Sequence, residues 1–296
     1  MIFGQNPPQI SYLGLPTEMA NKKVQVDSCS DLISLISKVA SFNLSLDIKI
    51  VCLDISEIVL SQNFFESTID EESKELSDKI IQTNSILSKN GIRVCLFIGK
   101  EYFLGSQLEE AKVSTIRLLN RLSEILELLG VNYPSIFIRI GSAYGNRKGT
   151  MSDFCKRIKS LPESVLPRLS VMNDDKPSLF SITDLLSGVY YNSGIPITFR
   201  ILAHQFNDGG LSIREALFLA SSTWKTKPIF FHSESLESDE NGIPISTTTS
   251  EYLTRRIPTF GLDLDVVIDS PHREDSCLKY RMDYKSLPPI IINKPQ

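Results

Sequence analysis

Residues 170–176 read SVMNDDK, so Asn173, Asp174 and Asp175 form a tight cluster of oxygen donors after a short apolar run. Such donors suit a hard cation or the hydroxyls of a sugar. Met172 at the head of the cluster does not, because a thioether is a soft ligand. The chain has only three histidines, His204, His232 and His272. A multi-metal centre needs several imidazoles and carboxylates converging on one point. Two of these histidines with Asp174 and Asp269 would make one poor site. Arg139 and Arg200 offer different chemistry, a permanent positive charge on a planar fork that matches carboxylate or phosphate.

Other chemistries lack their residues. No G-x-S-x-G elbow is present, so a Ser–His–Asp hydrolase is not supported. Gly141, Gly145 and Gly149 lack both the Lys-Ser/Thr ending of a phosphate loop and the dinucleotide G-x-G-x-x-G. The five cysteines are widely spaced with no C-x-x-C, which reads as buried thiols in a reducing compartment. A net charge of −4 gives no global basic excess, so nucleic-acid binding would need a local patch. No membrane span or secretory signal is visible, and an intracellular location is expected.

These residues are carried by alternating strand and helix signals. Strands are predicted over 9–15, 48–55, 92–98, 135–140, 168–172, 196–201, 228–233 and 265–269. Helices are expected between them, near 30–41, 70–89, after Ser106, near Ser152, after Ser181, after Ser212, and over 250–255. Ser106/Glu109, Ser181/Asp184 and Ser212/Glu215 have capping-box spacing. About eight βα units without a break in composition predict a single α/β domain over 1–296, a (β/α)8 TIM barrel. A doubly wound sheet is the runner-up. Residues 234–247 read as a loop insertion or mobile lid, and 285–296 as a Pro-rich C-terminal tail. In a barrel the C-terminal strand ends carry the site. That places Phe97, Lys100, Arg139, Tyr144, Met172, Asn173, Asp174, Arg200, His204, Phe231, His232 and Asp269 at or near the mouth. By strand alternation, His232 next to an inward Phe231 should point out of the barrel.

From about Ile92 to Asp269 the sequence resembles the UV damage endonucleases, metal-dependent barrel enzymes that nick DNA beside photolesions. IFIRIGSAYGNRKG is similar to the family's I-x-I-H-x-G-G-x-Y-G-x-K, and LPESVLPRLSVMNDDK to L-P-x-x-x-x-x-R-L-x-L-E-N-D-D-K. GIPITFRILAH, STWKTKPIFFHS and DVVID resemble G-I-P-x-x-F-D-x-H-H-H, T-W…P-K-x-H-x-S and D-V-M-L-E. The N-terminal third matches only in strand and helix order. The departures fall on the metal ligands that the resemblance implies. Phe97, Arg139 and Phe231 stand where the family has His, and Met172 stands where it has the Glu of E-N-D-D. Arg200 stands for an Asp, and Leu202 and Ala203 for His, leaving His204. Thr249 aligns near a later His, and Asp269 is a shortened form of the last carboxylate. Lys100 and Glu101 align with the lesion-probing Gln and aromatic residue, with Tyr102 or Phe103 as substitutes after a register shift.

About six ligands are thus replaced, beyond repair by one Asp and one His. The resemblance therefore implies a catalytically inactive relative acting as a binding or structural subunit, with no cofactor. Mn, Mg or Zn is expected only in active members. The alternatives are an active DNA repair endonuclease with another metal arrangement, and a barrel enzyme binding an anionic substrate on Arg139 and Arg200. Expected partners are double-stranded DNA or a protein assembly, with no membrane. Candidate DNA contacts are Tyr102, Tyr144, Arg147, Lys148, Arg255, Arg256 and Arg273, with solvated surface charge as the plain reading of the basic ones. Arg139 or Arg200 is expected to form a short ion pair with Asp174 or Asp269.

Overall fold

The computed structural model describes residues 8–67, 73–99 and 101–289. Strands are β1 (Gln9–Tyr12), β2 (Ile50–Asp54), β3 (Arg93–Phe97), β4 (Ile136–Ile138), β5 (Leu169–Met172), β6 (Ile197–Thr198), β7 (Ile229–His232) and β8 (Asp265–Ile268). A five-stranded sheet runs β2-β3-β4-β5-β6 and a three-stranded sheet runs β1-β8-β7, all with parallel pairing. Two seams join them. The Gly14 amide donates to Cys52 O at 2.9 Å beside β1 and β2. At the other seam Arg200 bridges Phe231 in parallel, and the Phe231 amide donates to Phe199 O at 2.9 Å. The two sheets therefore close into one eight-stranded parallel barrel, which satisfies both sheet edges. A short parallel pair, Val24–Val26 with Ile58–Leu60, lies outside the barrel strands.

The helices follow the sequence pattern. Those used below are α1 (Cys29–Ser45), α2 (Lys74–Asn90), α3 (Glu109–Leu128), α4 (Arg147–Lys159), α5 (Ile182–Leu185), α6 (Ile201–Phe206), α7 (Ile213–Ser222) and α8 (Arg273–Asp283), and short helices also form at Thr17–Ala20, Gln62–Glu66 and Tyr191–Ser193. Helix α2 ends on Gly91 at φ 62°, a left-handed cap that glycine adopts without steric cost. The capping boxes at Ser181/Asp184 and Ser212/Glu215 both form. The one at Ser106/Glu109 does not, because α3 starts later and Ser106 Oγ accepts from the Leu108 amide instead. No helix forms over 250–255. There the Glu234 carboxylate accepts from the Thr254 and Arg255 amides and the Thr254 hydroxyl, fixing an irregular segment. Residues 234–249 fold back on themselves through antiparallel bridges Ser235–Thr249 and Ser238–Pro244. In the tail, Leu287 is buried and the Arg256 amide donates to Pro288 O, so residues 285–289 pack; 290–296 lie outside the described residues.

Strand alternation sorts the interior into layers. Phe97, Phe137 and Phe231 meet inside, with ring centroids 6.0 Å apart for Phe97–Phe231 and 5.2 Å for Phe137–Phe231. Residues two positions along each strand then share that interior. Towards the N-terminal ends, Arg93 Nη1 of β3 reaches Asp265 Oδ2 of β8 at 2.7 Å, and Lys227 Nζ contacts Asp265 Oδ1 at 2.8 Å. β3 and β8 are not neighbours, so the Arg93–Asp265 pair spans the barrel floor. Towards the C-terminal ends the same parity brings up Leu13, Asp54, Arg139, Asp174, Arg200 and Asp269.

Candidate functional site at the barrel mouth

A cavity of about 660 Å³ opens at the C-terminal strand ends and is lined from all eight strands or the residues just after them. Leu13 follows β1, Asp54 ends β2, Phe97 ends β3 and Arg139 follows β4. Asp174 follows β5, Arg200 follows β6, Phe231 lies on β7 and Asp269 follows β8. Thr249 joins the lining from the folded loop after β7. Gly141 (φ 107°) closes one wall; a Cβ there would lie 2.9 Å from the Phe103 side chain, so only glycine admits the close approach. Phe103 lines the cavity, and its loop is tied down by the Gly105 amide donating to Ile140 O at 2.9 Å.

The arginines sit where the alternation puts them, but their pairing differs from expectation. Arg139 Nη1 lies 4.0 Å from Asp174 Oδ1, an ion pair too long for a hydrogen bond. Arg139 Nε and Nη2, Arg200 Nη1 and Asp174 Oδ2 are buried atoms without a hydrogen-bond partner. With Asp174 the expected short pair therefore does not form. Arg139 stands 5.8 Å from the Phe97 ring centroid, within cation–π range. Burial, and then repulsion from Arg200, lower the Arg139 pKa. Burial raises Asp174 to about 6 even though both arginines oppose the shift. Burial also raises Asp54, with repulsion from Glu57 and Asp269 adding to it, while Ser56 donates to its Oδ1 from both amide and hydroxyl.

Several expected mouth residues serve the scaffold instead. Asn173 accepts from the Arg200 amide at 2.8 Å and donates to Arg200 O at 3.1 Å, which stitches the end of β5 to the end of β6. His204 leaves the mouth: its Nε2 lies 3.0 Å from Leu211 O and its ring packs edge-on against Phe199. Met172 is buried one interior layer below Arg200 and fills volume. His232 points outward as alternation requires, fully buried with neither ring nitrogen partnered, and burial lowers its pKa to about 4. His272 stacks on Tyr252 at 4.7 Å. Lys100 lies outside the described residues.

The candidate DNA contacts divide in the same way. Arg147 pairs with Asp184, the capping carboxylate of α5. Arg256 donates to Tyr284 O and Lys285 O, and Arg273 grips Glu57 through two bonds of 2.8 and 3.0 Å. These three arginines are occupied internally. Tyr102 is half-buried, whereas Lys148 and Tyr144 are exposed and Arg255 is half-exposed. Sequence reasoning named no residue from the first two strands, yet Asp54 lines the cavity. Its signal was present in the alternation Ile50, Cys52, Asp54, which continues the inward face to the strand end.

The donor set does not fit a metal centre. Among the described residues no three His, Cys, Asp or Glu side chains converge as a metal site. The mouth instead holds two guanidinium groups and Lys176 beside four carboxylates, Asp54, Asp174, Asp175 and Asp269. Among the described residues no helix is long and apolar enough to cross a membrane.

The chain is similar to UV DNA damage endonuclease of Clostridium perfringens, 29% identical over 153 residues, which span 51% of this chain and 36% of the relative. It is 24% identical over 213 residues to UV DNA damage endonuclease of Bacillus pumilus, covering 68% of this chain and 64% of that protein. The matched regions thus span about a third to two thirds of these relatives' length. In fold it is similar to the crystal structure of SacUVDE, with a TM-score of 0.77 at 23% identity over 95% of this chain and 99% of that one. Endonuclease IV from Thermus thermophilus shares the fold more loosely, with a TM-score of 0.60 at 12% identity over 95% and 98% of the two chains. The family model of UV-endonuclease UvdE matches residues 13–291, nearly the whole chain, and the chain belongs to that family.

Proposed function

We propose that this chain is a UV-endonuclease-like barrel that no longer cuts DNA and acts as a binding or structural member of its family. The observation that supports this reading is the presence of Arg139 and Arg200 in one cavity, at strand ends where the family pattern has a histidine and an aspartate. A cation opposed by one guanidinium meets roughly 4 kcal/mol of repulsion per unit charge at close range in a medium of effective dielectric near 20. A divalent ion meets about twice that from each arginine. Asp54, Asp174, Asp175 and Asp269 would have to overcome this with no histidine beside them. Duplex DNA is the proposed partner, supported by the relatives' names, and an intracellular location is part of the same proposal. Among the candidate contacts in the described residues, exposed Lys148 and Tyr144 with half-exposed Arg255 are the ones proposed to touch it.

The test is relaxation of UV-irradiated supercoiled plasmid in Mn²⁺, run beside a gel-shift assay on the same DNA at low salt. The expected result is a shift without nicking above the unirradiated control. Manganese-dependent nicking that disappears in Asp54→Asn or Asp269→Asn would establish the active reading with an all-carboxylate centre.

A further inference from the structure

The mouth is bipolar. Strands β4, β5 and β6 and the residues after them bring Arg139, Asp174, Asp175, Lys176 and Arg200 to one arc, where three cations outnumber two carboxylates, and β8 and β2 bring Asp269 and Asp54 to either side of β1. In a closed ring of eight strands, β5 stands opposite β1, so the guanidinium arc faces the Asp54–Asp269 arc. Phe97 and Phe231 stand between the arcs, with centroids 6.0 Å apart. The arginines are not consumed by the protein. Arg139 has a side chain only 9% exposed, its one ion pair is 4.0 Å long, and its Nε and Nη2 have no partner. Arg200 Nη1 is in the same condition. Buried donors in folded proteins are almost always satisfied, and an exception calls for a ligand or an ordered water. Several unpartnered guanidinium nitrogens around one cavity call for a ligand with several acceptors.

We infer that the mouth binds a small phosphate ester of a polyhydroxylated molecule, in its simplest form a pentose phosphate. The phosphate lies on Arg139 and Arg200, and the hydroxyls lie towards Asp54 and Asp269. A guanidinium fork matches two phosphate oxygens, and two forks account for the unpartnered nitrogens. Carboxylates accept hydrogen bonds from hydroxyls and repel a second anionic group, so the opposite arc selects a ligand charged at one end only. Phe97 and Phe231 offer apolar surface to the carbon skeleton. The cavity volume of about 660 Å³ lies within the range of small-molecule sites. This inference rests on the non-catalytic reading in one respect: the phosphate is held by guanidinium groups, with no metal between.

The experiment is calorimetric titration of EDTA-treated, dialysed protein with ribose 5-phosphate, ribose, inorganic phosphate, and a nicked duplex carrying a 5′-phosphate. Ribose 5-phosphate is expected to bind, inorganic phosphate to bind about tenfold more weakly, and ribose to give no heat. Arg139→Gln and Arg200→Gln should each weaken the ester about tenfold or more, and Asp54→Asn should weaken the ester without weakening inorganic phosphate. The ligand series on the unaltered protein decides the matter even where a variant fails to fold. If the nicked duplex displaces ribose 5-phosphate, the ligand's source is a DNA strand end; if it does not, the source is a free ester. Absence of heat with every ligand at millimolar concentration overturns the inference and leaves the nicking result untouched. Ester binding that appears only after Mn²⁺ is added overturns both the inference and the non-catalytic reading.

Discussion

Replacing Asp174 by Asn should stabilise the protein at neutral and alkaline pH. Asp174 is 3% exposed, and its nearest guanidinium stands 4.0 Å away without a hydrogen bond. Burial therefore outweighs the pull of Arg139 and Arg200, and the carboxyl pKa rises from 3.8 to about 6. Between those two values the folded protein holds a proton that the unfolded chain has released. The favourable contribution of the protonated carboxyl is complete below the unfolded pKa and is lost as pH rises through about 6. The difference corresponds to about 3 kcal/mol, since each pKa unit is worth about 1.4 kcal/mol. Asn mimics the protonated acid at every pH. Urea denaturation of wild type and Asp174→Asn should give the variant an advantage of up to about 3 kcal/mol at pH 8, shrinking to nothing below the unfolded pKa. A variant that is less stable than wild type at pH 8 would refute the reasoning. It would mean that a tight ion pair or a bound cation holds the carboxylate.

Four further outcomes follow from the structure. His232 has a pKa depressed to about 4, so the stability it contributes is present above its unfolded value of 6.5 and is lost as pH falls through about 4. His232→Leu should lose up to about 3 kcal/mol less than wild type between pH 7 and pH 4 in urea denaturation. At the barrel floor, Arg93→Ala removes one of two cations from buried Asp265, leaving Lys227 at 2.8 Å, and should cost less than the ~3–5 kcal/mol of a fully stranded carboxylate, with Asp265→Asn recovering part of the loss on that background. On the DNA side, Lys148→Ala should reduce the salt dependence of duplex binding, measured by fluorescence anisotropy, by about one counterion without altering stability. Arg256→Ala should do the reverse, lowering the unfolding midpoint through its lost bonds to Tyr284 O and Lys285 O.

The fold was legible because its signals are local. Apolar strands with period-two alternation, Gly91 as a left-handed cap, and the Ser181 and Ser212 boxes each specify an element without help from distant residues. The predicted helix over 250–255 failed where a distant carboxylate, Glu234, supplies hydrogen bonds to a non-helical backbone. The site was legible in position and less so in pairing. Alternation along each strand placed Arg139, Arg200 and Phe231 inside the mouth and turned His232 away from it. The same reasoning applied to β2 would have delivered Asp54. His204 could not be placed from sequence, because β6 stops at Thr198 and α6 begins at Ile201, so the residue rotates on a helix instead of continuing the strand. Nor could Asn173 be read as a stitch between β5 and β6, since its partner is the backbone of a residue twenty-seven positions away. The expected short ion pair failed for a related reason. With Asp174, sequence supplies the charges but not the separation, and at 4.0 Å Arg139 retains unpartnered Nε and Nη2 donors.

The most direct measurement of whether guanidinium groups occupy the place of a metal centre is metal content. The protein would be incubated with excess Mn²⁺ and Zn²⁺, dialysed, and assayed by inductively coupled plasma mass spectrometry beside its Asp54→Asn and Asp269→Asn variants. The predicted result is no stoichiometric metal in any of the three. Retention of one or more equivalents by wild type, lost in either variant, would contradict the arginine-held mouth and restore the metal-dependent endonuclease.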